Sequence, residues 1–328
     1  MNKFISRAII NRILTSIVVL FLVISFVFFL IRIAPGNPSQ KYLSPGFSPQ
    51  LAEEINKSFN LNKSNFEQYV SFIKNLSTGN FGISYTYRSP VSTVLYEYLS
   101  FTILLTLLAF IMQTVISFWL AITTLKNPNG ILDKLTDKLS LFIFATPSFV
   151  IGLFLVLIFS VQLNLLPTSG VKSLDNSDLS FFSRLLDYAS HLLLPLITLT
   201  AGGIAVFYRY LRDNLNDLYN HNFVMNLRSM GYDEKTILQK HILPNTLGPF
   251  LSIAGIELGI LFSGALITEV IFGLPGMGRL TISAIFERDY PLVIGCTFAS
   301  AALMIISNLI TDLIKIKIDK RLLRDLLS

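Results

Sequence analysis

Six apolar runs decide what this chain can become. They cover residues 13–31, 101–125, 139–163, 191–208, 247–272 and 291–314. Each is close to or above the ~20 residues that a helix needs to cross a hydrocarbon core about 30 Å thick. Lipid offers the backbone no hydrogen-bond partner, so a crossing segment must satisfy its own N–H and C=O groups, as a helix does. Only 14% of the residues are charged, against roughly 25% in a soluble globular domain. A large soluble helical core would need polar faces on these helices, and the runs carry none. The expected fold is therefore an all-α integral membrane protein with six transmembrane helices. The fourth run is the least regular, with His191 and Pro195 at its start.

The first run follows Lys3, Arg7 and Arg12, as a secretory signal would. It is longer than the usual 7–15-residue apolar region, and Arg32-Ile33-Ala34-Pro35 is a poor cleavage site, so it reads as a retained helix. The single cysteine, Cys296, lies inside an apolar run and cannot pair within the chain. Net charge is +6, but its placement matters more than its size. With the N-terminus in the cytoplasm, the inner segments 1–12, 126–138, 209–246 and 315–328 hold 16 of the 26 Lys and Arg. The short outer loops 164–190 and 273–290 hold 4. The other 6 lie in the long segment 32–100, where charge counts little. Both termini are thus expected in the cytoplasm, and no nucleic-acid signature accompanies the basic charge.

Three parts follow along the chain: an N-terminal segment with the first helix (1–31), an extracytoplasmic cap segment (32–100) and a five-helix core (101–328). The cap segment opens on the turn Ala34-Pro35-Gly36-Asn37-Pro38 and continues into a polar, weakly helical stretch at 49–76. At about 69 residues it is marginal as a separate domain.

The inner segment 209–246 is far longer than the ~2–8 residues of a plain helix–helix connection. It reads as a helix over 223–230, a glycine C-cap at Gly231, then Asp233 capping a second helix over 234–241 that Pro244 limits. A helix–glycine–helix on the inner face has the form of a docking surface; the plainer reading is a solvated loop.

Phe223-Val224-Met225-Asn226-Leu227-Arg228-Ser229-Met230-Gly231, followed after nine residues by His241-Ile242-Leu243-Pro244, resembles the EAA loop of binding-protein-dependent ABC importer permeases, with its alanine-rich start degraded to Met225-Asn226-Leu227. Four further stretches resemble the dipeptide/oligopeptide/nickel branch, and within it the first of two paired permeases. They are Leu30-Ile31-Arg32-Ile33-Ala34-Pro35-Gly36-Asn37-Pro38, Gly79-Asn80-Phe81-Gly82-Ile83-Ser84, Leu165-Leu166-Pro167-Thr168-Ser169-Gly170, and Glu269-Val270-Ile271-Phe272-Gly273-Leu274-Pro275-Gly276-Met277-Gly278-Arg279-Leu280. Arg288-Asp289-Tyr290-Pro291 follows in place, so the resemblance spans nearly the whole chain in order.

The resemblance implies a type I ABC importer permease in the bacterial cell (plasma or inner) membrane. Its partners would be a second homologous permease, two ATPase subunits, an extracytoplasmic substrate-binding protein and membrane lipid. Arg228, Gly231, Tyr232, Glu234 and Lys235 would then sit in a cleft of the ATPase. No G-x-x-x-x-G-K-[ST] loop occurs in the sequence. ATP and Mg2+ would accordingly be bound by the partners, and this chain would carry no cofactor, no metal and no catalytic residue.

Ionisable groups within spans are costly and are functional candidates. Glu269 belongs to the Glu-x-x-Phe stretch that the resemblance marks, either bracing the adjoining loop by hydrogen bonds or acting in a gate that includes Pro275 and Gly276. Glu257 stands where the family usually has glutamine in Gly-x-Gln-x-Gly. On a helix, Ser252, Gly255, Gly259 and Ser263 form a small-residue stripe suited to close packing. Glu257 points away from that stripe and shares a face with Gly264 and Thr268. Two readings compete: a lumen-facing carboxylate, or a hydrogen-bonded one packed against a neighbouring helix. Pro147 and Pro195 should kink the third and fourth helices at protein-facing sites. The three histidines, His191, His221 and His241, have no metal-ligand spacing.

The leading expectation is a pore-forming subunit importing di- or oligopeptides, with nickel or a metal chelate as the alternative cargo. A secondary transporter is disfavoured because no inverted repeat is visible and intramembrane charges are few. An intramembrane enzyme is disfavoured because no Asp pair, His pair or Ser–His pair lies at plausible depth.

The charge asymmetry yields a topology prediction. Both termini and Gly231 are cytoplasmic, whereas Asn60 and Asn176 are outside. Single-cysteine labelling in intact cells checks it: an impermeant reagent should modify positions 60 and 176, and modification at 231 would reject the topology.

Overall fold

The computed structural model describes residues 2–33 and 64–318. The turn at 34–38 and the first part of the polar stretch, up to residue 63, lie outside the described residues. Ten α-helices are described: α1 Asn2–Ile33, α2 Asn65–Ser77, α3 Val91–Leu125, α4 Ile131–Ala145, α5 Ser148–Leu155, α6 Phe181–Tyr219, α7 Asn222–Ser229, α8 Leu243–Ile271, α9 Met277–Phe286 and α10 Tyr290–Ile318. A three-residue helical turn, Glu234–Thr236, and a π-helical stretch, Ile237–Ile242, lead into α8. Among the described residues, five helices are long and apolar enough to cross a membrane, and six spans result if the bent pair α4–α5 counts as one.

That bent pair refines the expected third span. The axes turn by 106° between Ala145 and Ser148. Pro147 has no N–H to continue a helix, and its ring pushes the preceding residue into extended backbone. Thr146 accordingly sits at φ −98, ψ 125. Its hydroxyl donates to the carbonyl of Phe142 at 2.7 Å, filling an acceptor left at the helix end. The expected kink is thus a full break, and Pro147, expected to face protein, is exposed on this chain. Pro195 behaves differently: it is buried inside α6, which continues unbroken for 39 residues.

Pro244 does not end the second loop helix, contrary to the sequence reading. It occupies the first turn of α8, where a missing N–H is tolerated. The π-helical stretch before it changes the hydrogen-bond register and lets the helix run on. Asn245 donates its side-chain amide to His241 O at 2.6 Å, and Thr246 its hydroxyl to Ile242 O at 3.1 Å.

The chain divides into two compact units. One comprises residues 10–102 and 275–303. In it α2 begins with a capping box: the Glu67 N–H donates to Ser64 Oγ, and the Ser64 N–H returns to Glu67 Oε2 at 3.2 Å. The ring of Phe72 on α2 stacks on Phe28 of α1 at 5.0 Å, and Tyr69 shares a hydrogen bond with Ser25 at 2.6 Å. Val91, Val94, Leu95, Leu280, Leu292 and Cys296 form the second core of this unit. The fully buried Asp289 pins its loops. Ser84 Oγ donates to its carboxylate at 2.5 Å, as do the N–H groups of Thr86 at 3.0 Å and Leu292 at 3.3 Å. The Gly79–Ser84 and Arg288–Pro291 stretches that carried the resemblance are therefore two sides of one hydrogen-bonded turn.

The other unit comprises residues 103–274 with the two chain ends. Its centre is α6, whose Phe207, Tyr208, Leu211 and Leu215 are fully buried against Ala121, Val224, Ile237, Ile242, Phe250 and Ala254. Phe207 and Phe118 each meet Phe250 edge-on at 4.9 Å. The Gly170 N–H donates to Phe272 O at 2.8 Å, joining the Leu165–Gly170 and Glu269–Leu280 stretches.

The two glycines of the small-residue stripe on α8 pack closely, as its composition implied. An added Cβ at Gly255 would meet Thr311 Cγ2 at 2.5 Å and its Cβ at 2.8 Å, while Gly259 lies against Met304. Ser263's surroundings are outside the description. Thr311 is β-branched and stiff at χ1, so it cannot yield cheaply. Gly255→Ala is expected to cost about 1–3 kcal/mol through overpacking. Gly202→Ala, whose new Cβ meets nothing within 4 Å, should be neutral or slightly stabilising. Thermal unfolding of the detergent-solubilised protein checks the contrast, and equal melting temperatures would refute it.

Candidate functional site

The segment between α6 and α8 is built as an anchored, outward-facing knuckle. Val224 and Ile237 are fully buried in the α6 core and fix its two arms. The first arm, α7, ends at Ser229, and the chain reverses by a Schellman motif. The Gly231 N–H donates to Arg228 O at 3.0 Å and the Tyr232 N–H to Leu227 O at 3.2 Å. That motif requires a left-handed residue at its turn, and Gly231 has φ +83. The second arm starts at Asp233, whose carboxylate accepts the Thr236 N–H at 3.1 Å. Its hydrogen bonding to Thr236 holds the Asp233 carboxyl below the usual carboxylate range.

One polar clasp joins the arms. Arg228 Nε donates to Glu234 Oε1 at 2.7 Å. The Tyr219 hydroxyl also donates to Glu234, and the Arg228 guanidinium lies 4.7 Å from the centroid of the Tyr219 ring. Arg228, Gly231, Tyr232, Glu234 and Lys235 are all exposed, as are Met225 and Met230. No atom lies within 4 Å of where a Cβ on Gly231 would stand. The five predicted residues thus share one continuous solvent-facing surface.

The second predicted group lies along α8 and just before α9. Glu257 is half-buried on α8 and makes no hydrogen bond or ion pair to a described residue. Thr268 and Glu269 are buried near the end of that helix, and Glu269 is engaged rather than free. The surroundings of Gly264 lie outside the description. Pro275 is exposed and Gly276 buried, the latter capping α9. The first N–H of α9, from Met277, donates to the buried Thr102 hydroxyl at 2.8 Å.

Sequence reasoning missed a buried charge cluster. Asp133, on the first turn of α4, is bonded to Arg212 and Tyr208 of α6. Both charged residues had counted only as members of inner loops. The available signal was an acidic residue in the first turn of a helix that follows a glycine N-cap. Among the described residues, no three His, Cys, Asp or Glu are placed to hold a metal ion.

Known families bear on this architecture directly. The profile described as "Binding-protein-dependent transport system inner membrane component" matches residues 113–324, and its N-terminal companion matches 4–107. The chain belongs to that family. It is a multi-pass inner-membrane permease component. Among relatives of this permease, the oligopeptide transport system permease protein AppB of Bacillus subtilis (strain 168) is 33% identical over 96% of this chain and 98% of its own length. The dipeptide transport system permease protein DppB of Lactococcus lactis subsp. cremoris (strain MG1363) is 29% identical over 96% and 98%. The nickel import system permease protein NikB of Staphylococcus aureus (strain MRSA252) is 31% identical over 97% and 92%. A fainter backbone likeness links it to the inward-facing MetNI methionine ABC transporter, at TM-score 0.47 and 16% identity over 72% of this chain and 95% of that one.

Permease function at Gly231 can be separated from permease folding. The empty space around Gly231 leaves backbone strain, of order 1–3 kcal/mol, as the only local cost of a side chain. The Gly231→Val protein should therefore reach the membrane in near-normal amount yet support no uptake. Normal uptake by this variant would contradict a functional role for the knuckle.

Proposed function

We propose that this permease is one half of the pore of a type I ABC importer that carries di- or oligopeptides inward. A second, homologous permease completes the pathway. Two ATPase subunits dock on the cytoplasmic face, and an extracytoplasmic binding protein delivers substrate. The observation that carries this reading is the Gly231 knuckle, rigid by its buried anchors and exposed at its tip. ATP binding would close the ATPase pair and displace the knuckles, which pass the motion to α6 and α8. The chain would itself bind neither ATP nor Mg2+.

Peptide is preferred as cargo because AppB and DppB, named for oligopeptide and dipeptide transport, align over nearly their whole length. NikB aligns over 97% of this chain and 92% of its own length, so nickel or a nickel chelate is the second reading. Within the pathway we assign Glu257 to the lumen, with Gly264 and the buried Thr268 following it along α8. Its half-buried carboxylate, with no hydrogen bond or ion pair to a described residue, would meet a peptide amine or another cation in passage. Glu269, Pro275 and Gly276 would brace or gate the pathway at the extracytoplasmic end.

The test is purification and reconstitution. The permease should co-purify with a second permease and ATPases, and the complex should take up peptide in an ATP-dependent way when its binding protein is present. Uptake of nickel alone would replace the peptide reading. In the same assay Glu257→Gln, which keeps size and hydrogen bonding, should slow cationic peptides more than neutral ones. Equal effects on both would remove Glu257 from the lumen.

A further inference from the structure

Helix α4 is held to the protein in an unusual way. Its large apolar side chains, among them Leu135, Leu139, Phe142 and Phe144, are exposed. Its buried residues are Asp133, Thr136 and Ser140. In lipid, apolar side chains gain nothing by leaving acyl chains for a neighbouring helix, so polar contacts carry more of the association. The strongest of them here is at Asp133.

The Asp133 carboxylate accepts four hydrogen bonds. Arg212 donates from Nε at 2.5 Å and from Nη2 at 2.9 Å, one to each oxygen. The buried Tyr208 hydroxyl donates at 3.1 Å. The N–H of Asn129, in the turn between α3 and α4, donates at 3.0 Å. Thr124, Pro128 and Asn216 close around the pair. Two parallel bonds between a planar guanidinium and a carboxylate fix rotation as well as distance. Asp133 is buried and Arg212 partly so; an ion pair withdrawn from water is commonly no more stabilising than a well-packed apolar replacement, so its use here points to geometry rather than to stability.

The position of the cluster gives that geometry a purpose. Arg212 lies between Leu211 and Leu215, the α6 residues packed in one core with Val224 and Ile237 of the knuckle. A displacement of the knuckle therefore reaches α6 at the level of Arg212. Beyond Asp133, α4 runs to the break at Pro147 and on into α5.

We propose that the Asp133–Arg212–Tyr208 cluster is a mechanical latch that makes α4, and through it the broken α4–α5 span, move as one body with the knuckle. The proposal rests on the importer reading above. Asp133 and Arg212 are positioning residues and touch neither nucleotide nor substrate.

The experiment uses the whole reconstituted importer with its binding protein and a neutral peptide. Spin labels at positions 135 and 217, both exposed, report the α4–α6 distance in nucleotide-free and ATP-trapped states. In the parent complex that distance should stay constant; in Asp133→Asn it should change or broaden on ATP trapping. Peptide taken up per ATP hydrolysed should fall about fivefold or more in Asp133→Asn, within the range that coupling residues show. ATP hydrolysis itself should stay near the parent rate, and Asp133→Glu should recover part of the ratio. An α4–α6 distance that already shifts in the parent complex overturns the latch, even if Asp133→Asn fails to assemble. So does an unchanged uptake-to-ATP ratio in an assembled Asp133→Asn complex. A parent complex that hydrolyses ATP without taking up peptide would instead overturn the importer reading, and the distance measurement would still judge the latch.

Discussion

Lipid accepts no hydrogen bonds, and that constraint shapes the breaks within the described apolar helices. Where the ladder is interrupted, a side chain or a changed register stands in. Thr146 serves Phe142 O beside the Pro147 break. Buried hydroxyls of Thr198, Thr200, Thr246 and Thr311 bond back to their own helices, so they can lie inside the bundle without orphaned donors. The same constraint explains the division of labour between helices. Those with a strong apolar core, such as α6, pack by shape, whereas α4 is held by charge.

The helix contacts follow a second consequence of the medium. With little hydrophobic drive between helices, close approach matters more. Gly255 against Thr311 and Gly203 against Gln113 bring backbones near enough for dispersion to count. The loops are tied just as locally. Asp289 joins the turn at 79–90 to the start of α10, and Gly170 joins the 165–170 stretch to the end of α8. The Gly79–Ser84, Arg288–Pro291, Leu165–Gly170 and Glu269–Leu280 stretches are each one side of such a tie.

Local features were legible in the sequence, and features made by distant residues were not. Five of the six apolar runs correspond to long helices because hydropathy and helix length are both read within a window of about twenty residues. The Gly231 turn was legible because its glycine, its left-handed backbone and its Asp233 cap fall within a few positions. The fourth run, read as 191–208, proved to be part of a helix from Phe181 to Tyr219. Hydropathy stops at Arg209 and Asp187, but a helix can continue past the lipid on hydrogen bonds such as those holding Asp187 to Ser173 and Asn176. The Pro244 error came from treating proline as a stop when it stood in a first turn. The Asp133–Arg212 pair spans 79 residues, and no periodicity links two such positions.

The π-helical stretch at Ile237–Ile242 has an angular consequence. A regular α-helix advances about 100° per residue, and an i→i+5 turn accommodates one residue more than an α-turn does. Everything downstream on α8 is therefore rotated, by roughly that angle, from where an unbroken α-helix starting at Glu234 would place it. Glu257, Thr268 and the Gly255–Gly259 contact all inherit this phase. The six residues before Leu243 thus act as the dial that sets which side of the fifth span faces which neighbour.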